Sequence, residues 1–272
     1  MLLSAYHDDA CDPREEGVFF EYRTGTKVAG YAAVFEAHAH LIAQYEYVAL
    51  FDDDLRIDST NLTKMFHTAA SYALKIAQPA LTHDSHFTYA CLLRDPTFRL
   101  RYINYIEMMC PVFRKDAFQA IRALYTMGYE SGIDLIWCNL VATSPQDFAV
   151  IDDVVVRHTR AVGASKSANG FIGGKRYEDD IYAILARFGL PWLSCVPFAG
   201  VRHNGTIVRR RLIFLVSSLR LLTAVVKRPG WRQRARSVAV FWKHLMTRKA
   251  VNYHVALPGE ADIHGDVIKM QQ

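Results

Sequence analysis

Hydrophobic and polar positions along residues 1–160 alternate between short apolar runs and the i, i+3, i+4, i+7 spacing of amphipathic helices. The apolar runs predict strands at residues 2–6, 18–22, 47–51, 75–80, 102–113 and 148–156. Helical spacing predicts helices around residues 31–42, 60–72, 118–125 and 133–140. Strands that alternate with helices are typical of an α/β fold, so we predict a mostly parallel sheet flanked by helices.

Three consecutive aspartates, Asp52, Asp53 and Asp54, directly follow the apolar run at residues 47–51. The carboxyl end of a buried strand is where open α/β sheets bind their ligands. Asp52 and Asp54 share one side of an extended chain and their oxygens suit Mg²⁺ or Mn²⁺, whereas Asp53 would point away. An aspartate cluster after a strand is equally typical of a turn or a helix N-cap, and the residues alone leave both interpretations open.

Other polar side chains stand where a ligand site would need them. Thr26 and Lys27 precede the first predicted helix, where an amide and an ammonium can reach phosphate, although a solvated lysine is the simpler explanation. Glu107 lies among apolar residues, so its carboxylate should be paired, hydrogen-bonded or facing a cleft. Our candidate donor- and acceptor-binding residues are Thr26, Lys27, Asp53, Glu107 and Trp137.

Composition indicates a globular protein. The chain has 272 residues, 51% of them hydrophobic, which is enough to bury a substantial core and excludes a disordered protein. Its five cysteines are odd in number, widely spread and without a CxxC pair, which argues against a disulfide framework and a structural zinc site. The N-terminal residues lack the features of a signal peptide. We therefore expect a reducing, cytoplasmic setting.

Charge is distributed unevenly along the chain. The net charge is +5, but residues 181–259 contain no Asp or Glu and 14 Lys and Arg, which leaves about −9 on the rest. We predict two parts on this basis: a catalytic or binding domain at residues 1–180 and a basic helical C-terminal extension at residues 181–272.

The basic extension suggests a surface partner. Its apolar stretch at residues 212–226 is shorter than the ~20 residues of a membrane span, and Arg220 interrupts it. The next segment carries an apolar stripe (Trp231, Ala235, Val238, Trp242, Leu245) with basic residues elsewhere on the helix (Arg232, Arg234, Arg236, Lys243). Residues 209–249 therefore fit an anionic membrane surface at the inner face of the plasma membrane, or helices packed on the body with a solvated basic face. We do not expect nucleic acid, because no recognised binding fold accompanies the charge.

Five segments, taken together, resemble a known family. Residues 47–55, 76–80, 105–114, 132–135 and 151–158 are similar, in order and spacing, to an uncharacterised family of plants and bacteria. That family itself resembles the GT-A-fold glycosyltransferases, and the resemblance spans roughly residues 2–165. It implies a GT-A-like, Rossmann-like fold. Relatives usually carry one more strand before the one predicted at residues 2–6, so we expect weakened donor binding or a non-catalytic protein as an alternative.

The resemblance also implies roles for particular residues. Asp52 and Asp54 match the outer aspartates of the DxD element, which holds Mn²⁺ or Mg²⁺ against a nucleotide diphosphate, and His158 matches a histidine that completes the metal shell. A histidine at a strand end is otherwise more often a satisfied polar residue. Asp134 matches the general base of inverting enzymes, with Glu130 as the second choice for that role. The alternative for Asp134 is a helix-start aspartate, or a residue that only orients the acceptor in a retaining enzyme.

The function implied is a metal-dependent glycosyltransferase. It would move a sugar from a nucleotide-sugar donor to a glycan or lipid-linked acceptor, with inversion, in cell-surface polysaccharide or glycan synthesis. The alternative is a non-catalytic protein of the same fold that acts as a membrane- or partner-binding scaffold.

Overall fold

The computed structural model describes residues 1–6, 12–161, 163, 170–171, 173–226 and 228–258. The strands are β1 (Leu2–Ala5), β2 (Phe19–Tyr22), β3 (Tyr47–Ala49), β4 (Leu55–Arg56), β5 (Ile76–Leu81), β6 (Leu100–Ile103), β7 (Val112–Arg114), β8 (Phe148–His158), β9 (Pro197–Val201) and β10 (Ile207–Val208). The α-helices are α1 (Lys27–Ala37), α2 (Ala39–Ile42), α3 (Ser59–Ser71), α4 (Lys115–Ile121), α5 (Ile133–Val141), α6 (Tyr177–Arg187), α7 (Arg211–Ser217) and α8 (Trp231–Thr247). Three 3₁₀ segments lie at Ala90–Leu92, Arg122–Thr126 and Ser218–Ala224.

The main sheet has eight strands in the order β10-β9-β6-β8-β5-β7-β3, with β4 paired to the end of β8. The predicted α/β class with flanking helices is confirmed, but the prediction of a mostly parallel sheet is wrong. Among the described strands of this sheet, only β5 and β8 are parallel neighbours. The reason is that the apolar run at 102–113 forms two strands joined by a loop: β6 pairs antiparallel with β8, and β7 runs antiparallel between β3 and β5.

Three strands nevertheless point the same way. Since β3 and β5 are each antiparallel to β7, and β8 is parallel to β5, the carboxyl ends of β3, β5 and β8 lie at one edge of the sheet. The short strands β1 and β2 form a separate parallel pair.

The sheet separates two hydrophobic cores. Successive residues of a strand point to opposite faces, and in β8 Phe148 and Val150 join the larger core while Ala149 and Ile151 join the smaller one. Helices α1 and α4 to α8 supply side chains to the larger core, and α3 covers the smaller core with Met65. This arrangement accounts for the almost continuous apolar sequence of β8, which is buried on both faces.

A bulge in β8 changes the register of its second half relative to β5. The pairing with β5 passes from Pro79↔Ile151 to Ala80↔Val155, so residues 152–154 are extra on the β8 side. The carboxylate of Asp152, in the bulge, is buried and bonds the Arg101 guanidinium at 2.8 and 2.9 Å. Beyond the bulge β8 continues to His158 at the sheet edge described above.

The C-terminal part of the chain contributes to the sheet as well as to its helices. Strands β9 and β10 lie beyond residue 180, and β9 pairs with β6, so the sheet draws on both sides of the predicted boundary. In α8 the side chains of Val238 and Leu245 are buried against the larger core. The stripe predicted for this helix therefore packs on the body along most of its length, whereas Trp231 is exposed.

Cys91 and Cys195 form a disulfide in the structure. Cysteine spacing argues against a disulfide framework and does not predict this single bond, which forms because the fold brings together residues that are 104 positions apart. Cys110 and Cys138 are buried free thiols, and Cys11 lies outside the described residues. Within the described part of the chain, no helix has both the length and the hydrophobicity that crossing a bilayer demands.

Candidate functional site

The aspartates and His158 meet at the edge where β3, β5 and β8 end. Residues 52–54 follow β3 after two residues, and a hydrogen bond from Asp52 N to the Met109 carbonyl (3.0 Å) holds this segment beside the 104–111 loop. Leu55 of β4 then pairs with His158 of β8. The pairing brings the Asp54 side chain to His158 although the two residues are 104 positions apart.

His158 is held from both ring nitrogens. Its Nδ1 lies 2.9 Å from the His86 carbonyl, which can only accept, so Nδ1 carries a proton. Its Nε2 lies 3.1 Å from Asp54 Oδ2. Burial opposes a charged imidazole, but the hydrogen bond and charge of Asp54 outweigh it and raise the pKa of His158. Asp54 has a lowered pKa, because this histidine outweighs the opposing effect of burial.

Lys27 neutralises Asp52. It is the first residue of α1, whose N-cap is Thr26, and its Nζ lies 2.6 Å from Asp52 Oδ2. Burial alone would lower the pKa of Lys27, but the carboxylates of Asp52, Asp134 and Asp54 together raise it. The ammonium therefore pairs with Asp52 and is stabilised by the charges of the two other carboxylates.

Two further carboxyl groups come from the loop 104–111 and from α5. Asp134, in the first turn of α5, accepts hydrogen bonds from the Tyr105 hydroxyl at 2.7 Å and from Met108 N at 3.3 Å. Burial raises the pKa of Asp134 in spite of these bonds. Glu107 lies in the loop rather than in the predicted strand, and burial, with the nearby charge of Asp134, raises its pKa to about 8. We call Asp52, Asp54, Glu107 and Asp134 the carboxylate cluster.

Two buried carboxylate oxygens of the cluster, Asp54 Oδ1 and Glu107 Oε2, have no hydrogen-bond partner among the residues that the structure describes. An unpartnered buried oxygen is costly unless a proton, a cation or a ligand completes it. Because the pKa of Glu107 is raised to about 8, this carboxyl group keeps its own proton at neutral pH. For Asp54 Oδ1, whose carboxyl group has a lowered pKa, a cation or a ligand donor fits the chemistry better.

Three predicted site residues have other contacts. Glu130 Oε1 accepts from the Thr26 hydroxyl at 2.5 Å and its Oε2 accepts from Val28 N at 3.3 Å, so this carboxylate anchors the start of α1. Asp53 is exposed and pairs with Arg160 at 3.0 Å. Trp137 is fully buried and donates to the Ile106 carbonyl at 3.1 Å, so it belongs to the core. The structure thus brings together Lys27, Asp52, Asp54, Glu107, Asp134 and His158.

Sequence reasoning missed Tyr105 and His86. The Tyr105 hydroxyl positions Asp134, and the His86 carbonyl fixes the ring of His158. Tyr105 stands in an apolar run, and His86 acts through its backbone, so neither residue gives a signal in side-chain spacing.

The carboxylate cluster contains the oxygen ligands that a hard divalent cation prefers. Its side chains are not arranged as a complete coordination shell. Among the described residues, no group of three or more His, Cys, Asp or Glu side chains is arranged to hold a metal ion. Oxygen atoms of Asp52 and Asp54 are the ligands that Mg²⁺ and Mn²⁺ prefer, and Asp54 Oδ1 is unpartnered. Asp52 Oδ2 and Asp54 Oδ2 are already paired with Lys27 and His158. Cation binding would have to compete with these two pairs.

Comparison with known proteins gives one family. The family described as Protein of unknown function (DUF707) matches residues 18–186, more than half of the chain. The chain belongs to this family. The DUF707 match includes every member of the carboxylate cluster together with Lys27 and His158. No curated protein matches the chain.

Proposed function

We propose that this DUF707 protein is a metal-dependent, GT-A-like glycosyltransferase that takes a nucleotide-sugar donor and a glycan or lipid-linked acceptor. The observation that supports it best is the convergence of Asp52, Asp54, Asp134 and His158 where β3, β5 and β8 end. Ligands of α/β sheets bind at such carboxyl ends. The order of these residues along the chain is also the order that the GT-A resemblance requires.

The donor diphosphate would bind between the aspartates and α1. Asp52 and Asp54 would hold Mn²⁺ or Mg²⁺, which when bound offsets the charge that builds up on a departing diphosphate. Lys27 would turn from Asp52 to a phosphate oxygen, because its ammonium already lies beside the aspartate that would hold the metal. His158 would keep Asp54 ionised and fixed in place.

Asp134 would act as the general base. Its pKa is raised by burial, and the Tyr105 hydroxyl holds one oxygen at 2.7 Å. The other oxygen would take the proton of an acceptor hydroxyl. In the reaction, the acceptor oxygen forms a bond to the anomeric carbon and gives its proton to Asp134, while the bond from that carbon to the diphosphate breaks. Attack opposite the leaving group inverts the configuration. Glu107, with a pKa of about 8, would be protonated at neutral pH and would donate a hydrogen bond.

One observation favours a second candidate, a non-catalytic scaffold of the same fold. Lys27 and His158 already neutralise Asp52 and Asp54 within the chain. In a scaffold these pairs would be permanent structural ion pairs, and the cluster would bind neither metal nor nucleotide.

Nucleotide binding separates the two candidates. We would measure the thermal unfolding midpoint of the purified chain with UDP, GDP or CDP and their sugars, with and without Mn²⁺. If the proposal is correct, one nucleotide raises the midpoint by roughly 5–10 °C at a hundredfold excess over its Kd, and only when Mn²⁺ is present.

The variant Asp52→Asn/Asp54→Asn should lose this shift. A matched control is Asp116→Asn, which changes an exposed carboxylate paired with Arg114, next to the opposite end of β3. The control should keep the full shift. If no nucleotide moves the wild-type midpoint, or if the double variant keeps the shift, the enzyme proposal fails and the scaffold is favoured.

A further inference from the structure

The C-terminal helical segments expose an unusual amount of apolar surface. Of the twenty large hydrophobic side chains that are exposed among the described residues, eight lie between residues 212 and 246. They are Leu212, Val216, Leu219, Leu222, Val226, Trp231, Val240 and Met246. Contiguous exposed apolar surface of this kind marks an interaction site more often than chance exposure does.

Four of these side chains form one stripe. Helix α7 continues directly into the 3₁₀ segment Ser218–Ala224. Leu212, Val216 and Leu219 follow the i, i+4, i+7 spacing of an α-helix face, and Leu222 follows Leu219 by three residues, one turn of a 3₁₀ helix. We call these four residues the outer stripe. Their exposed fractions, from 47% to 69%, show that no described part of the chain covers them.

The opposite side of the same segment packs on the body. Phe214, Leu221 and Ala224 are buried in the larger core, which they share with Val238 and Phe241 of α8. Since α7, the 3₁₀ segment and α8 turn their inner sides to one core, their outer sides lie on the surface of the fold away from it. The outer stripe therefore does not result from partial unfolding of the segment. It is the exposed side of a packed one.

Exposed basic residues lie before, within and after the outer stripe along the chain. Arg209, Arg210 and Arg211 precede it, Arg220 lies within it, and exposed Arg232, Arg236 and Lys243 lie along α8. Residues 181–259 contain no Asp or Glu, so acidic side chains of this segment cannot neutralise these residues. Whatever covers the stripe must supply apolar contact and negative charge together.

We propose that the outer stripe and its basic border dock on an anionic lipid leaflet. A leaflet supplies both requirements over an extended area, with the apolar side chains entering the boundary between headgroups and acyl chains and the arginines facing the headgroups. This docking face differs from the stripe that the sequence predicted for residues 231–245, because Val238, Trp242 and Leu245 face inward. The inference holds whether or not the chain is a glycosyltransferase.

The docking surface is connected to the carboxylate cluster. Ser237 of α8 donates to the Thr88 carbonyl at 2.7 Å, and the His83 ring contacts Thr223 of the 3₁₀ segment at 2.7 Å. Both contacts are with residues 82–94, the same segment whose His86 carbonyl fixes His158. The docking surface and the candidate site are therefore packed against the same segment of the chain.

Vesicle binding by the full chain tests the proposal. We would measure co-sedimentation with vesicles of phosphatidylcholine alone and with vesicles that also contain phosphatidylglycerol, at low and high salt. We expect binding only to the anionic vesicles, weaker at high salt. The variant Leu212→Ser/Leu219→Ser/Leu222→Ser should weaken binding at least tenfold, since each substitution removes apolar area that would otherwise enter the leaflet.

A second variant separates charge from apolar contact. Arg211→Gln/Arg220→Gln/Arg232→Gln should also weaken binding at least tenfold at low salt, because each basic residue near an anionic surface contributes about 1 kcal/mol, a factor of about five. The control Tyr45→Ser/Lys64→Gln removes one exposed apolar side chain and one exposed basic side chain, the latter on α3 at the other face of the sheet, and should bind as wild type does. Circular dichroism of every variant establishes that it is folded.

Three outcomes would overturn the proposal. One is a wild-type chain that ignores anionic vesicles at low salt. Another is equal binding by the wild type and by folded forms of both variants. The third is a wild-type dimer that the serine variant converts to a monomer while vesicle binding stays unchanged, since the stripe would then be an interface between two copies of the chain.

Discussion

At the scale of single residues, Glu107 is the side chain whose protonation the fold changes most clearly. Burial and the charge of Asp134 raise its pKa from 4.5 to about 8, so the folded chain binds a proton there that the unfolded chain releases. Stability from this group is therefore complete below about pH 4.5 and is lost as the pH rises towards about 8. His158, whose pKa is also raised, acts in the same direction.

We predict that Glu107→Gln flattens this pH dependence. Glutamine keeps the shape and hydrogen-bonding capacity of the neutral acid but cannot ionise. The wild-type free energy of unfolding, measured by urea titration with chelator present, should fall between pH 5 and pH 8 by up to about 1.4 kcal/mol per pH unit more than that of the variant. Glu107 also contributes to the raised pKa of His158, so the difference between the two proteins reports this pair of groups. Parallel profiles for the two proteins would show that Glu107 is ionised in the folded chain.

Lys27 and Asp52 give a second prediction at this scale. Both side chains are about one-fifth exposed, so removal of the ammonium leaves a poorly solvated carboxylate among other carboxylates. We predict that Lys27→Met costs about 1–3 kcal/mol of stability, and that adding Asp52→Asn recovers about 1 kcal/mol or more of the loss. The free energies of unfolding of wild type, single variants and double variant give the coupling.

The matched control pair is Arg114 and Asp116, which are 25% and 59% exposed. The same cycle there should give a coupling below about 1 kcal/mol, because solvent screens an exposed pair. Equal couplings for the two pairs would contradict the enclosed position that the structure gives Lys27.

At the scale of elements, the start of α5 sets the position of Asp134. Gly132 caps this helix with φ +85°, and a Cβ there would lie 2.9 Å from Ile184 Cγ2 and 3.2 Å from the Ile181 backbone of α6. Gly128 has the same φ, +85°, but its Cβ would meet no atom within 4 Å. Comparing substitutions at these two glycines therefore separates the cost of backbone strain from the cost of disturbed helix packing.

We predict that Gly128→Ala costs about 1 kcal/mol, from the left-handed backbone alone. Gly132→Ala should cost about 1–3 kcal/mol more, because α6 must also move away from α5. Thermal unfolding of both variants measures the difference. If the two costs are equal, α6 does not pack on the start of α5 as closely as the structure shows.

At the scale of the whole molecule, the local hydrophobic pattern predicted the strands and helices better than the order and direction of the strands in the sheet. The strands at β3, β5 and β8 and the helix α5 are confirmed because each carries its own hydrophobic periodicity. The direction of β7 was missed because residues 102–113 were predicted as one strand, although Asn104, Glu107 and Pro111 interrupt this run and Pro111 directly precedes β7. For the same reason Glu107 was placed in a strand rather than in a loop.

The candidate site was predictable only in part. Asp52, Asp54 and His158 stand at strand ends, and strand ends of one direction meet, so their association follows from element order once the strands are known. The ammonium of Lys27 on Asp52 and the hydroxyl of Tyr105 on Asp134 depend on side-chain packing between distant segments. No spacing rule contains that information, whereas the i, i+3, i+4, i+7 spacing of Ile133, Ile136, Trp137 and Leu140 does place Trp137 on the buried side of α5.

The Cys91–Cys195 disulfide joins the segment after β5 to the segment before β9, which lie on opposite sides of residue 180. Closing a loop of about 100 residues limits the unfolded chain, and such a bond is worth about 3–5 kcal/mol. We predict that reductant lowers the wild-type free energy of unfolding by this amount and leaves Cys91→Ala/Cys195→Ala unaffected.

Thiol counting under denaturing, non-reducing conditions is the control for this prediction. Of the five cysteines, three should react in the wild type if the bond is present. Five reactive thiols would mean that the purified chain is reduced, and the reductant effect should then vanish as well. A reductant effect that persists in the double alanine variant would show that it does not come from the Cys91–Cys195 bond. Cys110 and Cys138 are buried free thiols in the folded chain, so neither offers a bond for the reductant to break.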